Sequence, residues 1–253
     1  MLERHPEEPL RVHGLIAREI GMSIVSGRLR PGHVLDGEIE ASSRRRVSHT
    51  VYREALRILS AKGLIQSRPR TGTRVSRIEE WHLLDPDVLA WLFSGTPSPE
   101  VLHGLFELRT IVEPAAAALA AVRREESHLQ QMKRALDAMA LHSLHRPEGR
   151  EADKEFHAAL LAGSRNPFVA SLSQGVTAAV DALTLFKLRL LRVERDPVPD
   201  HVCVYEAVAN RDADAARDAM VRLIRLAVLD MPSQQRPKPP SRAWQSGVSL
   251  QLG

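Results

Sequence analysis

Asp153 and His157 stand four residues apart in "ADKEFHAALL", and His201 follows in "PDHVCVYEAV". Four residues make about one helical turn, so a helix would present that carboxylate and imidazole on one face. A carboxylate and imidazoles meeting inside a helical bundle suit a first-row divalent metal. The same spacing on a solvated helix makes only a surface hydrogen bond. Arg109 and Glu113 repeat the interval in "LFELRTIVEPAAAALAA"; alone they read as a surface ion pair worth a few tenths of a kcal/mol. A third group lies in "RRRVSHTVYREALRILSAKGLI", residues 44–65, where three arginines run into Ser-His-Thr and then a helical stretch. That stretch is either a solvated basic face or a helix built to lie against a polyanion.

The elements that must carry these groups can be read from periodicity. Val12, Ile16, Ile20 and Ile24, with Leu15 beside them, predict an amphipathic helix over 11–26 that Gly27 ends. "HVLD" is a candidate short strand, and a short helix is expected to open at Asp36 or Gly37. Ser48 reads as the N-cap of a helix running to about Lys62 and stopped by Gly63. Its inward face would be Tyr52, Ala55, Leu56 and Leu59; its outward face would be His49, Thr50, Arg53 and Arg57. "LIQSRPRTGTRVS" alternates about a Pro/Gly turn, as a two-stranded wing does. From Pro99 to Met231 the periodic segments are helical, about 99–122, 126–143, 150–163, 167–193, 198–209 and 212–230. Asn166-Pro167 and Asp212 are the expected helix starts. Cys203 is expected in the core. The tail 233–253, rich in Pro, Ser and Gln, is expected to be disordered.

Charge separates the two halves. Residues 11–77 hold fourteen Lys and Arg against five acids, a net +9 in a chain whose total is +4. A basic first third on a mildly acidic remainder suits a polyanion-binding module joined to a carrier with another task. No apolar run approaches the roughly 20 residues of a membrane span, and "MLERHPEEPL" lacks the apolar core of a secretory signal. A single cysteine leaves no internal disulfide framework. A cytoplasmic protein without a membrane partner is expected.

"GRLRPGHVLDGE…VSHTVYREALRILSAKGLIQSRPRTGTRV" resembles the winged helix-turn-helix of the GntR family of bacterial transcription regulators. Four positions depart from that pattern: His49 replaces arginine, Tyr52 replaces valine, and Arg45-Arg46 replace an apolar residue and the turn glycine. "WHLLDPDVLAWL" resembles the connector of the FadR-type branch, whose second domain is an all-helical effector-binding (FCD) bundle. The resemblance implies a mainly α protein: a winged helix-turn-helix over 9–77, a connector over 78–98 and a helical ligand-binding domain over 99–232.

It further implies a homodimer reading a short palindromic operator in double-stranded DNA, as a repressor. Arg44, Ser48, His49, Thr50 and Arg53 would contact phosphates and base edges, and Arg70, Thr71 and Gly72 of the wing the adjacent minor groove. In the bundle it implies a divalent metal, zinc or similar, on Asp153, His157 and His201; Leu223 stands where the family carries a fourth, histidine ligand. Arg109 would face the pocket and clamp a small carboxylate effector. A Leu-Asp-Pro-Asp connector is common among regulators responding to sugar acids. Two alternatives compete: a helical metalloenzyme using Asp153, His157 and His201, and an architectural DNA binder without a ligand.

Overall fold

A computed structural model of the chain describes residues 12–68, 72–190, 195–231 and 236. Arg70, Thr71 and, apart from Arg236, the tail 233–253 therefore lie outside the described residues. The chain divides into two compact units, one of residues 1–96 with 174–182, the other of 97–173 with 183–253.

The first unit runs α1 (Val12–Val25), α2 (Glu38–Arg44), α3 (His49–Ala61), β1 (Ile65–Arg68), β2 (Gly72–Val75), a single 3₁₀ turn over Ile78–Glu80 and α4 (Pro86–Ser94). Ile16, Ile20 and Ile24 of α1 are buried as their spacing requires, whereas Val12 and Leu15 are half exposed and do not join the core. Gly21 lets α1 approach α4, because a Cβ there would lie 2.3 Å from the Trp91 ring. α2 opens after Gly37 with no side-chain cap, so its first-turn Glu38 and Glu40 are the groups placed to complement the dipole. β1 and β2 pair antiparallel from Ile65–Val75 to Arg68–Gly72. "HVLD" does not become a strand. Val34 makes one bridge to Arg74, and the Leu35 amide donates to the Thr73 carbonyl at 2.8 Å.

α3 follows its periodicity closely. The Ser48 hydroxyl accepts from the Val51 amide at 3.3 Å, and Tyr52, Ala55, Leu56 and Leu59 are all buried. Gly63 ends it at φ +72°, and a Cβ at that position would meet the Glu80 carbonyl at 2.1 Å. Lys62 at its C-terminus donates to Asp85 Oδ1 and Oδ2 at 2.7 and 2.9 Å and lies 2.8 Å from Asp87. Asp85 also caps α4 through the Asp87 and Val88 amides. The Leu-Asp-Pro-Asp connector thus has a structural task of its own: it starts α4 and anchors the end of α3.

Three of the four departures, at 45, 46 and 52, fit together. Arg46 occupies the turn at φ +54°, the left-handed region its glycine counterpart would enter freely. Arg45 reaches back to α1, where its two terminal nitrogens donate to Glu19 Oε2 and Oε1 at 2.6 and 2.9 Å. Tyr52 fills the space inside at 3% exposure. A non-glycine residue in that conformation costs on the order of 1 kcal/mol. Arg46→Gly is therefore expected to raise the first unit's stability by about that much; an unchanged or lower urea midpoint in the variant would contradict this account of the turn.

The second unit contains α5 (Pro99–Arg123), α6 (Glu126–His142), α7 (Pro147–Gly163), α8 (Pro167–Ser171), the end of α9 (Ser173–Leu190), α10 (Val198–Ala209) and α11 (Ala213–Leu229). The helix expected over 167–193 is two helices, since the chain turns at Leu172, where α8 ends. The Ser171 hydroxyl donates back to the Phe168 carbonyl at 2.7 Å, a local bond of the kind that competes with a continuing helix. Asn166 and Asp212 cap α8 and α11, as their sequence positions suggest. α7 begins at Pro147, three residues before the expected start, with proline in the first turn where its missing N–H costs nothing. α6 packs on α7, α5 on α7 and α11, and α10 on α5, α6 and α11. Cys203 is half-buried rather than a core residue.

Candidate functional site

α7 puts Asp153 and His157 on one face and buries both, at 3% and 1% exposure; α10 brings His201 to them, at 3%. One potential ligand atom from each lies within 4.8 Å of the others. Asp153 Oδ1 is the centre of the group, 3.1 Å from His201 Nε2 and 3.7 Å from His157 Nε2. The imidazole rings meet edge to face with centroids 5.5 Å apart, and Phe156 stacks edge-on to His201 at 5.0 Å.

Each imidazole is steered from behind. His201 Nδ1 lies 2.8 Å from the Pro197 carbonyl one turn earlier, which accepts from it and leaves Nε2 facing Asp153. His157 Nδ1 lies 2.7 Å from Glu113 Oε2, out of line for a hydrogen bond but in direct contact with the carboxylate. Glu113 is fully buried and is gripped by Arg109, whose Nε and Nη2 donate to Oε1 and Oε2 at 2.5 and 3.3 Å. Burial alone would raise the Glu113 pKa; the Arg109 charge and His157 overcome it and lower it to about 2. Burial likewise pushes Asp153 up, and His201, His157 and Arg109 bring it below the usual aspartate range. Both carboxylates are ionised.

Arg109 and Glu113 are thus not a surface pair. They form a buried pair on α5 whose carboxylate orients His157. Arg109 Nη1 makes no bond to a described residue.

The residues fit a metal. Asp153 Oδ1 and His201 Nε2 are buried without hydrogen-bond partners, and His157 turns its Nε2 toward the same oxygen. Asp153 Oδ1 and His201 Nε2, 3.1 Å apart with no hydrogen bond between them, are two ligand atoms that one cation can bridge. Separations of 3.1 and 3.7 Å are those of ligands each about 2.1 Å from one ion. The carboxylate or carbonyl behind each imidazole is the support that metal-binding histidines use. Leu223, at the position of the family's fourth ligand, is buried on α11 and offers no donor atom.

On α3, Ser48, His49, Thr50, Arg53 and Arg57 are exposed on the face opposite the core. Arg57 is tied to Glu54 at 3.2 Å, and Arg44 to Asp36 and Glu40 at 2.8 and 2.7 Å. Arg53 and Arg46 make no ion pair with any described residue. Gly72 opens β2 at φ +79°.

Comparison with known proteins bears on both units. Residues 14–75 match the family described as bacterial regulatory proteins, gntR family, and residues 104–226 match the FCD domain. The galactonate operon transcriptional repressor of Escherichia coli is 32% identical over 208 residues, 81% of this chain and 90% of that protein. The Bacillus subtilis regulator LutR is 30% identical over 208 residues, 78% of this chain and 91% of LutR. Among solved structures, Lar, which controls expression of the Listeria monocytogenes agr system, superposes with a TM-score of 0.61 over 89% of this chain and 98% of its own, at 16% identity. A winged helix-turn-helix followed by a helical effector-binding bundle defines a class of ligand-responsive transcription regulators. The chain belongs to the GntR family of that class, as a member with an FCD domain. The metalloenzyme alternative finds no support, since the relatives are regulators of transcription.

Proposed function

We propose that this regulator is a cytoplasmic homodimer and acts as a repressor. In this reading its two α3 helices enter successive major grooves of a short palindrome. Arg53, which pairs with no described carboxylate, and His49 read base edges. Ser48, Thr50 and Arg44 meet phosphates, and Arg70, Thr71 and Gly72 carry the wing to the minor groove. The winged helix-turn-helix is assigned to 9–77, the connector to 78–98 and the ligand-binding domain to 99–232.

In the bundle, Asp153, His157 and His201 hold a divalent metal, and Arg109 offers its unspent Nη1 to a small carboxylate. When bound, the metal supplies a Lewis-acidic centre for that ligand's oxygens. Glu113 keeps His157 oriented, and the Pro197 carbonyl keeps the inward nitrogen of His201 free. The galactonate repressor among the relatives makes a sugar acid the first effector to try. The observation that carries this reading is the convergence of Asp153 Oδ1 and His201 Nε2, 3.1 Å apart and buried without hydrogen-bond partners.

Thermal unfolding of chelator-treated protein, titrated with zinc, manganese and nickel, tests it. One of these ions is expected to raise the melting temperature by several degrees, as a ligand that binds only the folded state must, and Asp153→Ala should abolish the shift. An equal shift in that variant would sink the assignment.

A further inference from the structure

Helix α9 buries a lysine, Lys187, that has no hydrogen-bond or ion-pair partner among the described residues. It lines a cavity of about 250 Å³ shared with Thr184, His145, Arg195, Pro197 and Asp230. Of the two carboxylates on the cavity wall, Asp196 accepts from the Val198 amide at 3.0 Å and Asp230 is held by Arg195. Arg195 donates to Asp230 from Nε at 3.0 Å and from Nη2 at 2.6 Å, and its Nη1 is bonded to Asp200. A lysine at 9% exposure with no partner among the described residues is costly to keep charged, and an anion in the cavity would offset that cost.

The cavity adjoins the cluster already described, because Pro197 lines it while its carbonyl holds His201 Nδ1. At about 30 Å³ per water molecule, its volume corresponds to roughly eight waters, the size of a small organic acid. Thr184 and His145 supply polar groups on its walls for hydroxyls.

We propose that this cavity is an anion site in which Lys187 Nζ binds the carboxylate of a hydroxy acid of about three to six carbons. The inference rests on the carboxylate-effector reading above and adds to it a residue and a chamber. Asp230, Asp153, Arg109 and Arg195 act on Lys187 electrostatically, with Asp196 and His145 also at the cavity wall. Burial is the largest influence and lowers the lysine's pKa. Anion affinity should therefore fall as pH rises, and should do so below the usual lysine range.

The test is calorimetric titration of the full chain, chelated and zinc-loaded, with lactate, galactonate, acetate and inorganic phosphate. Wild type is expected to bind lactate or galactonate. Lys187→Met should bind the same acid at least tenfold more weakly and without the pH slope, and Lys187→Arg should recover part of the affinity. Without any anion, Lys187→Met should melt no lower than wild type, since it removes an unpaired buried charge. A carboxylate bound equally by wild type and Lys187→Met overturns the role of Lys187 and leaves carboxylate control standing. Phosphate bound through Lys187 while no carboxylate binds overturns the ligand class. No binding of any carboxylate by wild type, with or without zinc, overturns both this inference and the carboxylate reading on which it rests.

Discussion

Arg53→Ala is expected to weaken binding to the cognate operator ten- to a hundredfold while leaving helix content and melting temperature unchanged. A bidentate arginine contact to a base is worth about 1–3 kcal/mol of discrimination, and 1.4 kcal/mol is tenfold in affinity. The fold should not register the loss, because Arg53 is exposed and pairs with no described carboxylate. Arg57, one turn further along the same face, is tied to Glu54. Arg57→Ala should accordingly cost less and act alike on all sequences. The measurement is fluorescence anisotropy on a duplex selected from a random pool, with non-cognate DNA as the reference at fixed salt. Equal losses on cognate and non-cognate DNA would make Arg53 a phosphate contact, and no loss on either would remove α3 from the interface.

Glu113→Gln should have the largest effect on the bundle. The substitution keeps the shape and removes the charge, leaving the Arg109 guanidinium at 3% exposure without its counter-ion. Breaking a buried pair from one side costs about 3–5 kcal/mol. For a unit of this size that is on the order of 10 °C in melting temperature. The double variant Arg109→Met with Glu113→Leu should recover most of the loss, because no isolated charge then remains. Metal affinity should fall ten- to a hundredfold in Glu113→Gln, since His157 loses the group that orients it.

The same pair has a pH signature. The Glu113 pKa is lowered from 4.5 to about 2, so its contribution is fully present above about pH 4.5 and is lost as pH falls toward 2. Acid unfolding of wild type should therefore have a component in that window that the double variant lacks. Identical acid titrations for the two proteins would mean that Glu113 is not ionised in the fold.

Much of this architecture could be read from spacing. α3 shows why: Ser48 caps it, and Tyr52, Ala55, Leu56 and Leu59 are buried as a 3.6-residue period requires. The convergence of Asp153, His157 and His201 was legible only in part. The interval of four put two of them on one face, but the approach of α10 to α7 is a tertiary fact with no local signature. Glu113 was missed as a functional residue because its interval to Arg109 is the same whether the pair is solvated or buried. The alanine run that follows it, 115–118, was the available sign of close helix packing. Lys187 was invisible, since a lone lysine in an apolar helix looks like any solvated side chain until its neighbours are known. The turn at 45–46 reads in sequence as two extra charges. In space one is neutralised by Glu19 and the other stands in for a glycine at φ +54°.

The most direct test of the central claim, that the bundle's ligands control the DNA-reading helix, is operator affinity by anisotropy for chelated and zinc-loaded protein, each with and without a hydroxy acid such as galactonate. Specific binding that weakens 5- to 150-fold when acid and metal are both present is the predicted result, the range in which coupled sites commonly act. Sequence-specific affinity that no combination of acid and metal changes would contradict the account, and would leave the chain a DNA binder without a ligand switch.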